Sequence, residues 1–147
     1  MIKKGTQQDS QILAELAAQL WSGHSLAELR DEFEWHTEDP DAACFIKYVG
    51  DNPIGFAQCQ LRRDYVEGTN SSPVGYLEGI LIMEKYRHQG YAKELLSCCE
   101  EWALNKNCTE FASDCEIDNF DSLRFHLATG FEEAGRIICF KKLIKYH

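Results

Sequence analysis

The sequence lacks any apolar run approaching the ~18 residues that a membrane-spanning helix needs, and its polar opening, "MIKKGTQQDS", lacks a signal-peptide pattern. It has no CxxC pair and no Cys/His spacing suited to a metal. The seven cysteines, at 44, 59, 98, 99, 108, 115 and 139, are odd in number. That argues against a secreted disulfide framework and for small buried hydrophobes in a reducing compartment. A nucleophilic Cys115 is the alternative use for one of them. Basic residues are outnumbered: the formal charge is -9, so the footprint needed for nucleic acid or an anionic membrane surface is missing. The acidic excess is either a solubilising surface or, where acids converge, a seat for a cationic ligand. Repeats, low-complexity tracts and linkers are absent, and 44% hydrophobic with 27% charged residues is ordinary for a globular protein. The expectation is a single domain spanning residues 1–147, cytoplasmic, with no metal, nucleic-acid or membrane partner.

What is present is a change of period along the chain. "DSQILAELAAQLW" has Ile12, Leu13, Leu16, Ala17 and Leu20 at helical spacing, with Asp9 or Ser10 as cap, and "SLAELRDEF" opens on a Ser25/Glu28 capping box. "ACFIKYVG" and "DNPIGFAQCQLR" read as strands around an Asp-Asn-Pro turn. After the polar "RDYVEGTNSSP", the stretch "VGYLEGILI" is a nearly continuous apolar strand. Residues 90–105 give the longest helix, "CTEFASD" a short strand, and "DNFDSLRFHLATGF" a helix capped by Asp118 or Asn119 and ended by Gly130. "EEAGRIICFKKLIKY" is expected to close the chain with one or two strands. Helices between neighbouring strands imply parallel crossovers beside an antiparallel hairpin. The fold class is therefore α/β with a central mixed sheet flanked by about four helices.

One joint in this order carries chemistry. In "YRHQGYAKELL" the pattern Arg87-x-x-Gly90-x-Ala92 follows the apolar strand and opens the long helix. A helix N-terminus offers unpaired N–H groups and partial positive charge, and a glycine lets an anion approach the backbone. Arg87, His88 and Lys93 add positive character. Alone, the pattern also suits a plain loop-to-helix joint, and neither GxxxxGK[ST] nor GxGxxG is present. With the strand before it and the Asn119-x-x-Ser…Gly-Phe segment after it, the arrangement resembles the GCN5-related N-acetyltransferase (GNAT) family. The resemblance covers nearly the whole chain. It implies acetyl-CoA as co-substrate, with pyrophosphate on the amides of Arg87, His88, Gln89, Gly90, Tyr91, Ala92 and Lys93, and Asn119 at the pantetheine arm.

The acceptor half narrows the resemblance. "QLWSGHS", "RDYVEGTNSSPVGYLEGI", "FASD" and "GFEE" look like the short, dimeric aminoglycoside 6'-N-acetyltransferases, which acetylate the 6'-amine of these antibiotics. That implies Trp21, His24, Tyr65, Glu78 and Asp114 as contacts to a cationic aminoglycoside, and a homodimer to which the C-terminal strands contribute. Each has an ordinary reading as well: Trp21 as core, His24 as a surface or capping residue, Tyr65 as packing over the hairpin. Glu78 also fits a structural ion pair, and Asp114 a cap. The sequence departs from these relatives at Gly135, where they carry another acid after "GFEE"; Glu132 or Glu133 is a candidate substitute. His126 stands where many superfamily members place the tyrosine that protonates the leaving thiolate.

The implied reaction is direct attack of a neutral amine on the thioester. It requires a carboxylate to accept a proton, for which Asp114 is the candidate, with Glu78 orienting the acceptor. A backbone N–H among Ile80, Leu81 and Ile82 is the candidate oxyanion donor, and the same strand is expected to pair with the pantetheine amides. A polyamine or protein amine as acceptor, and a non-catalytic acetyl-CoA sensor, are the alternative functions.

Overall fold

Three consecutive apolar segments supply most of a sheet, and short helices cover it. The computed structural model describes residues 1–145. Five strands, β1 (Ile2–Lys4), β2 (Ala42–Val49), β3 (Asn52–Arg62), β4 (Val74–Ile82) and β5 (Phe111–Ser113), lie side by side in that order. The first four are antiparallel, whereas β4 and β5 are parallel, with Gly75, Tyr76 and Leu77 opposite Phe111, Ala112 and Ser113. The helices are α1 (Ser10–Ala17), α2 (Leu26–His36), α3 (Tyr91–Asn105) and α4 (Phe120–Ala128). The mixed sheet with four helices is the expected class.

Alternation along β2 assigns the faces. Ile46 is buried in one core cluster with Leu13 of α1, Leu29 and Phe33 of α2, and Phe56 of β3. Its neighbour Lys47 points the other way, where its Nζ lies 2.8 Å from Glu94 of α3. So α1 and α2 cover one face, and α3, through Leu95, Leu96, Cys99 and Trp102, buries its apolar stripe on the other. The chain divides into two compact units, Met1–Asp114 and Cys115–His147, the first holding the sheet with α1 to α3 and the second holding α4.

Two expectations are corrected. The β2–β3 hairpin turns at Gly50-Asp51, closed by the pair Val49↔Asn52, and Pro53 lies inside β3 opposite Tyr48. Gly50 takes φ +61, which a tight hairpin demands and glycine supplies. Residues 131–145 form no strand. The second unit contains no other strand among its described residues, and a lone strand has no ladder to join.

Before α1, Thr6 and Lys3 both donate to the buried Asp9 carboxylate, at 2.8 Å from the Thr6 N–H and 3.2 Å from Lys3 Nζ. Burial opposes this charge, but the donors more than offset it and hold the carboxyl below its usual range. A depressed carboxyl stabilises the fold above its unfolded value, and that stability disappears as pH falls. Asp9→Asn is expected to lower the unfolding free energy by about 1–2 kcal/mol at pH 7. In urea titrations the gap from wild type should narrow as pH falls below about 4.

Candidate functional site

The strand β4 contains one residue more than its neighbour can match. Gln58 pairs with Gly79 and Cys59 with Leu77, which leaves Glu78 without an opposite residue in β3. Such a bulge shifts side-chain parity. Before it, a Cβ on Gly75 would meet Ala103 of α3; after it, a Cβ on Gly79 would lie 2.6 Å from the Trp21 indole. Only glycine at 79 lets that ring come so close to the strand, where it also meets Phe56 edge-on at 6.0 Å. Trp21 is thus both core packing and pocket wall.

The bulge opens a cavity of about 390 Å³ on this face, lined by Trp21, His24, Leu29, Glu32, His36, Gln58, Gln60 and Glu78. Three of the five acceptor residues expected from the sequence meet here: Trp21, His24 and Glu78. Tyr65 and Asp114 are not in its lining. Tyr65 is exposed, its hydroxyl accepting from the Gly68 N–H at 3.4 Å. The sequence reading missed Glu32, His36, Gln58 and Gln60. The two glutamines alternate along β3 toward this face, and that period was the available signal; Glu32 looked like any charge on a solvated helix. A wider groove of about 590 Å³ beside α1 and α2 is lined by Arg30, Asp31 and Glu34 among others, and holds no residue singled out above. Arg30 and Glu34 pair with each other at 3.5 Å, so the smaller cavity is the better candidate.

Glu78 carries the ion pair that its apolar strand requires. Arg62, the last residue of β3, grips both its oxygens, with Nη2 2.8 Å from Oε1 and Nε 3.2 Å from Oε2. The same guanidinium lies 3.4 Å from the centroid of the Tyr76 ring. Burial disfavours its charge, but the Glu78 carboxylate more than compensates, so its pKa is raised. Tyr76 in turn donates its phenol hydrogen to Asp114, just past β5. Burial first, and the Asp114 carboxylate second, push that phenol above its usual range and keep it a donor.

A second site lies at the start of α3. Gly90 is its N-cap at φ +83, and no side chain caps the helix, so the first-turn N–H groups face outward. His88 also takes positive φ, at 65, shaping an exposed loop. Arg87 acts as an anchor: its Nε donates to the Ile82 carbonyl at 2.8 Å and ties the loop to the end of β4. Past Leu77 no strand among the described residues pairs with the β5 side of β4, although β3 pairs with Ile80, Leu81 and Ile82 on the other. The site therefore combines an uncapped helix start with an open strand edge. This donor set suits a phosphorylated, amide-bearing ligand.

In the second unit, Asn119 caps α4 by accepting from the Ser122 N–H at 3.1 Å. His126 Nδ1 lies 2.7 Å from the Ser122 carbonyl oxygen, and its ring packs on Phe131 at a 4.9 Å centroid distance. Glu133 pairs with Arg136, which holds its carboxyl below the usual range, so Glu133 already has a partner where Gly135 leaves an acid missing. Among the described residues no group of three or more His, Cys, Asp or Glu is placed to hold a metal, and no helix is long and apolar enough to cross a membrane.

Residues 11–131 match the acetyltransferase (GNAT) family model. The chain is 43% identical to the aminoglycoside N(6')-acetyltransferase type 1 of Salmonella typhimurium strain LT2 over 128 residues, 86% of this chain and 88% of that one. It is 39% identical to the Serratia marcescens enzyme of the same name over 130 residues, 88% and 89% of the two chains. Among solved structures it resembles the aminoglycoside N-acetyltransferase AAC(6')-Iy in complex with CoA, with a TM-score of 0.93 and 37% identity over 97% of this chain and 93% of that one. The same enzyme with a bisubstrate analogue, CoA-S-monomethyl-acetylneamine, gives 0.93 at 36% identity, covering 98% of each.

Gly90→Ala forces a side chain into the left-handed region, while the space around it is open. The expected cost is about 1 kcal/mol, or about 3 °C in Tm. Gly23→Ala, in open space without positive φ, should leave the melting curve unchanged.

Proposed function

The chain belongs to the GNAT acetyltransferase family, and we propose that it transfers the acetyl group of acetyl-CoA to the 6'-amine of aminoglycoside antibiotics. The observation that carries this reading is the cavity joining Trp21, His24, Glu32 and Glu78, acidic and hydrogen-bonding, beside the bulge of β4. A polycationic sugar needs such a lining, with carboxylates and amides in place of a greasy pocket.

The family match runs across both units, which supports one catalytic domain spanning residues 1–147. The uncapped start of α3, from Arg87 through Lys93, fits the pyrophosphate of acetyl-CoA. The free edge of β4 over Ile80, Leu81 and Ile82 fits its pantetheine amides, and Asn119 lies in the segment that resembles the family's pantetheine motif. Acetyl-CoA supplies the activated acetyl thioester. The protein's part is to hold the amine, remove its proton and meet the charge growing on the carbonyl oxygen with a β4 amide.

Within that division, Asp114 takes the proton and Glu78 orients the acceptor, with Trp21, His24 and Tyr65 as further contacts. His126 is the candidate general acid, its ring oriented through Nδ1 by the Ser122 carbonyl. The exposed apolar run of Ile137, Ile138, Phe140, Leu143 and Ile144 supports a homodimer that covers it. Free cysteines throughout the described residues support a cytoplasmic location.

Thiol release from acetyl-CoA should be rapid with a 6'-amino aminoglycoside and absent with its 6'-hydroxy analogue. Equal rates on both would refute the regiochemistry, and no release with either would refute the substrate class. Asp114→Asn should reduce kcat/KM about 100-fold or more at neutral pH.

A further inference from the structure

The two carboxylates assigned to the reaction do not touch, yet they are joined through two residues that neither composition nor motif singled out. Arg62 holds both oxygens of Glu78, at 2.8 Å and 3.2 Å, and lies 3.4 Å from the centroid of the Tyr76 ring. Tyr76 donates its phenol hydrogen to Asp114 Oδ2. The resulting chain runs Glu78–Arg62–Tyr76–Asp114 from the end of β3 across β4 to the residue after β5, all inside the first unit. Tyr76 is 6% exposed and packs with Val66 and Val74, so its ring is held by its neighbours. By contrast Asp114 follows the last residue of a three-residue strand and is exposed. A carboxylate in that position has several rotamers unless something selects one.

We propose that Tyr76 is the positioning residue for Asp114, and that Arg62, stacked on Tyr76 and bound to Glu78, locks both carboxylates into one preorganised acceptor-binding unit. This rests on the reading of Asp114 as the base. One oxygen of Asp114 is committed to the phenol, and the other is left to receive a proton from the incoming ammonium. The phenol stays protonated and donates throughout; it does not itself take the amine's proton. Arg62 has a second consequence. It is the resident cation of Glu78, so an arriving ammonium shares that carboxylate with a guanidinium and meets an acid already oriented. Binding therefore selects acceptors that can satisfy Glu78 from the cavity side, where Trp21, Gln58 and Gln60 lie.

The test is a kinetic double-mutant cycle on the full-length protein, with Tyr76→Phe, Asp114→Asn and the combination, using a 6'-amino aminoglycoside and acetyl-CoA. Phenylalanine keeps the ring under Arg62 and removes only the hydroxyl. Tyr76→Phe alone should lower kcat about 10- to 100-fold while KM for acetyl-CoA stays within about twofold, which also reports an intact fold. On the Asp114→Asn background the same change should cost less than about twofold, because the group it positions is gone. Arg62→Lys should keep more activity than Arg62→Met, yet fall below wild type, since an ammonium cannot hold Glu78 bidentately. If Asp114→Asn is inactive while Tyr76→Phe matches wild type, or if the two losses simply multiply, the positioning role is refuted and the base assignment stands. If Asp114→Asn is fully active, the base assignment fails and takes the positioning role with it.

Discussion

One unmatched residue in β4 sets the geometry of the site. Because Glu78 has no partner in β3, side chains before and after it exchange faces, and Gly79 comes to lie under Trp21. The unmatched residue is a carboxylate within an apolar strand, where it needs a partner, and Arg62 at the end of β3 is in reach. On the other side, β4 stays paired with β5 only from Gly75 to Leu77, so the edge beyond is open to an added, strand-like ligand. The bulge shapes the cavity side of β4, and the shortness of β5 leaves the other edge unpaired beyond Leu77.

The charge of the molecule becomes intelligible from this point. A formal -9 says only that anionic partners are disfavoured. The structure distributes that excess unevenly: Asp9, Glu94 and Glu133 are taken by Lys3, Lys47 and Arg136, whereas Glu32 lines the cavity. Around α3 the logic reverses, with backbone N–H groups as the main donors and Arg87 spent on the Ile82 carbonyl. The acid-lined cavity and the uncapped start of α3 therefore suit ligands of opposite charge.

Much of this was legible in the sequence, and the parts that were not have physical reasons. The bounds of β4 and α3 follow from apolar periodicity and the glycine at 90, and Ser25 caps α2 through the Glu28 N–H as its spacing predicts. The hairpin turn was displaced because Asn-Pro is itself a strong turn pair, while the tertiary ladder places Pro53 within β3. Residues 131–145 carry strand-like composition, but strands are made by partners, and composition does not name one. In the site, Glu78 stood out as an acid among apolar residues. Tyr76 did not, because a tyrosine in such a strand reads as core; its hydroxyl gains meaning only from Asp114, thirty-eight positions away. A bulge leaves no mark in the sequence, and so Arg62 could not be assigned to Glu78 in advance, whereas the alternation of Gln58 and Gln60 along β3 was legible.

The most direct measurement of the central claim is amide hydrogen exchange across β4 and the start of α3, with and without CoA. If the unpaired edge of β4 receives the pantetheine arm, CoA should slow exchange at residues 79–82 and at 90–93 together, with β2 unchanged. Slowing at 90–93 without any change in β4 would contradict the account, because the phosphate would then bind while the strand edge stayed unused.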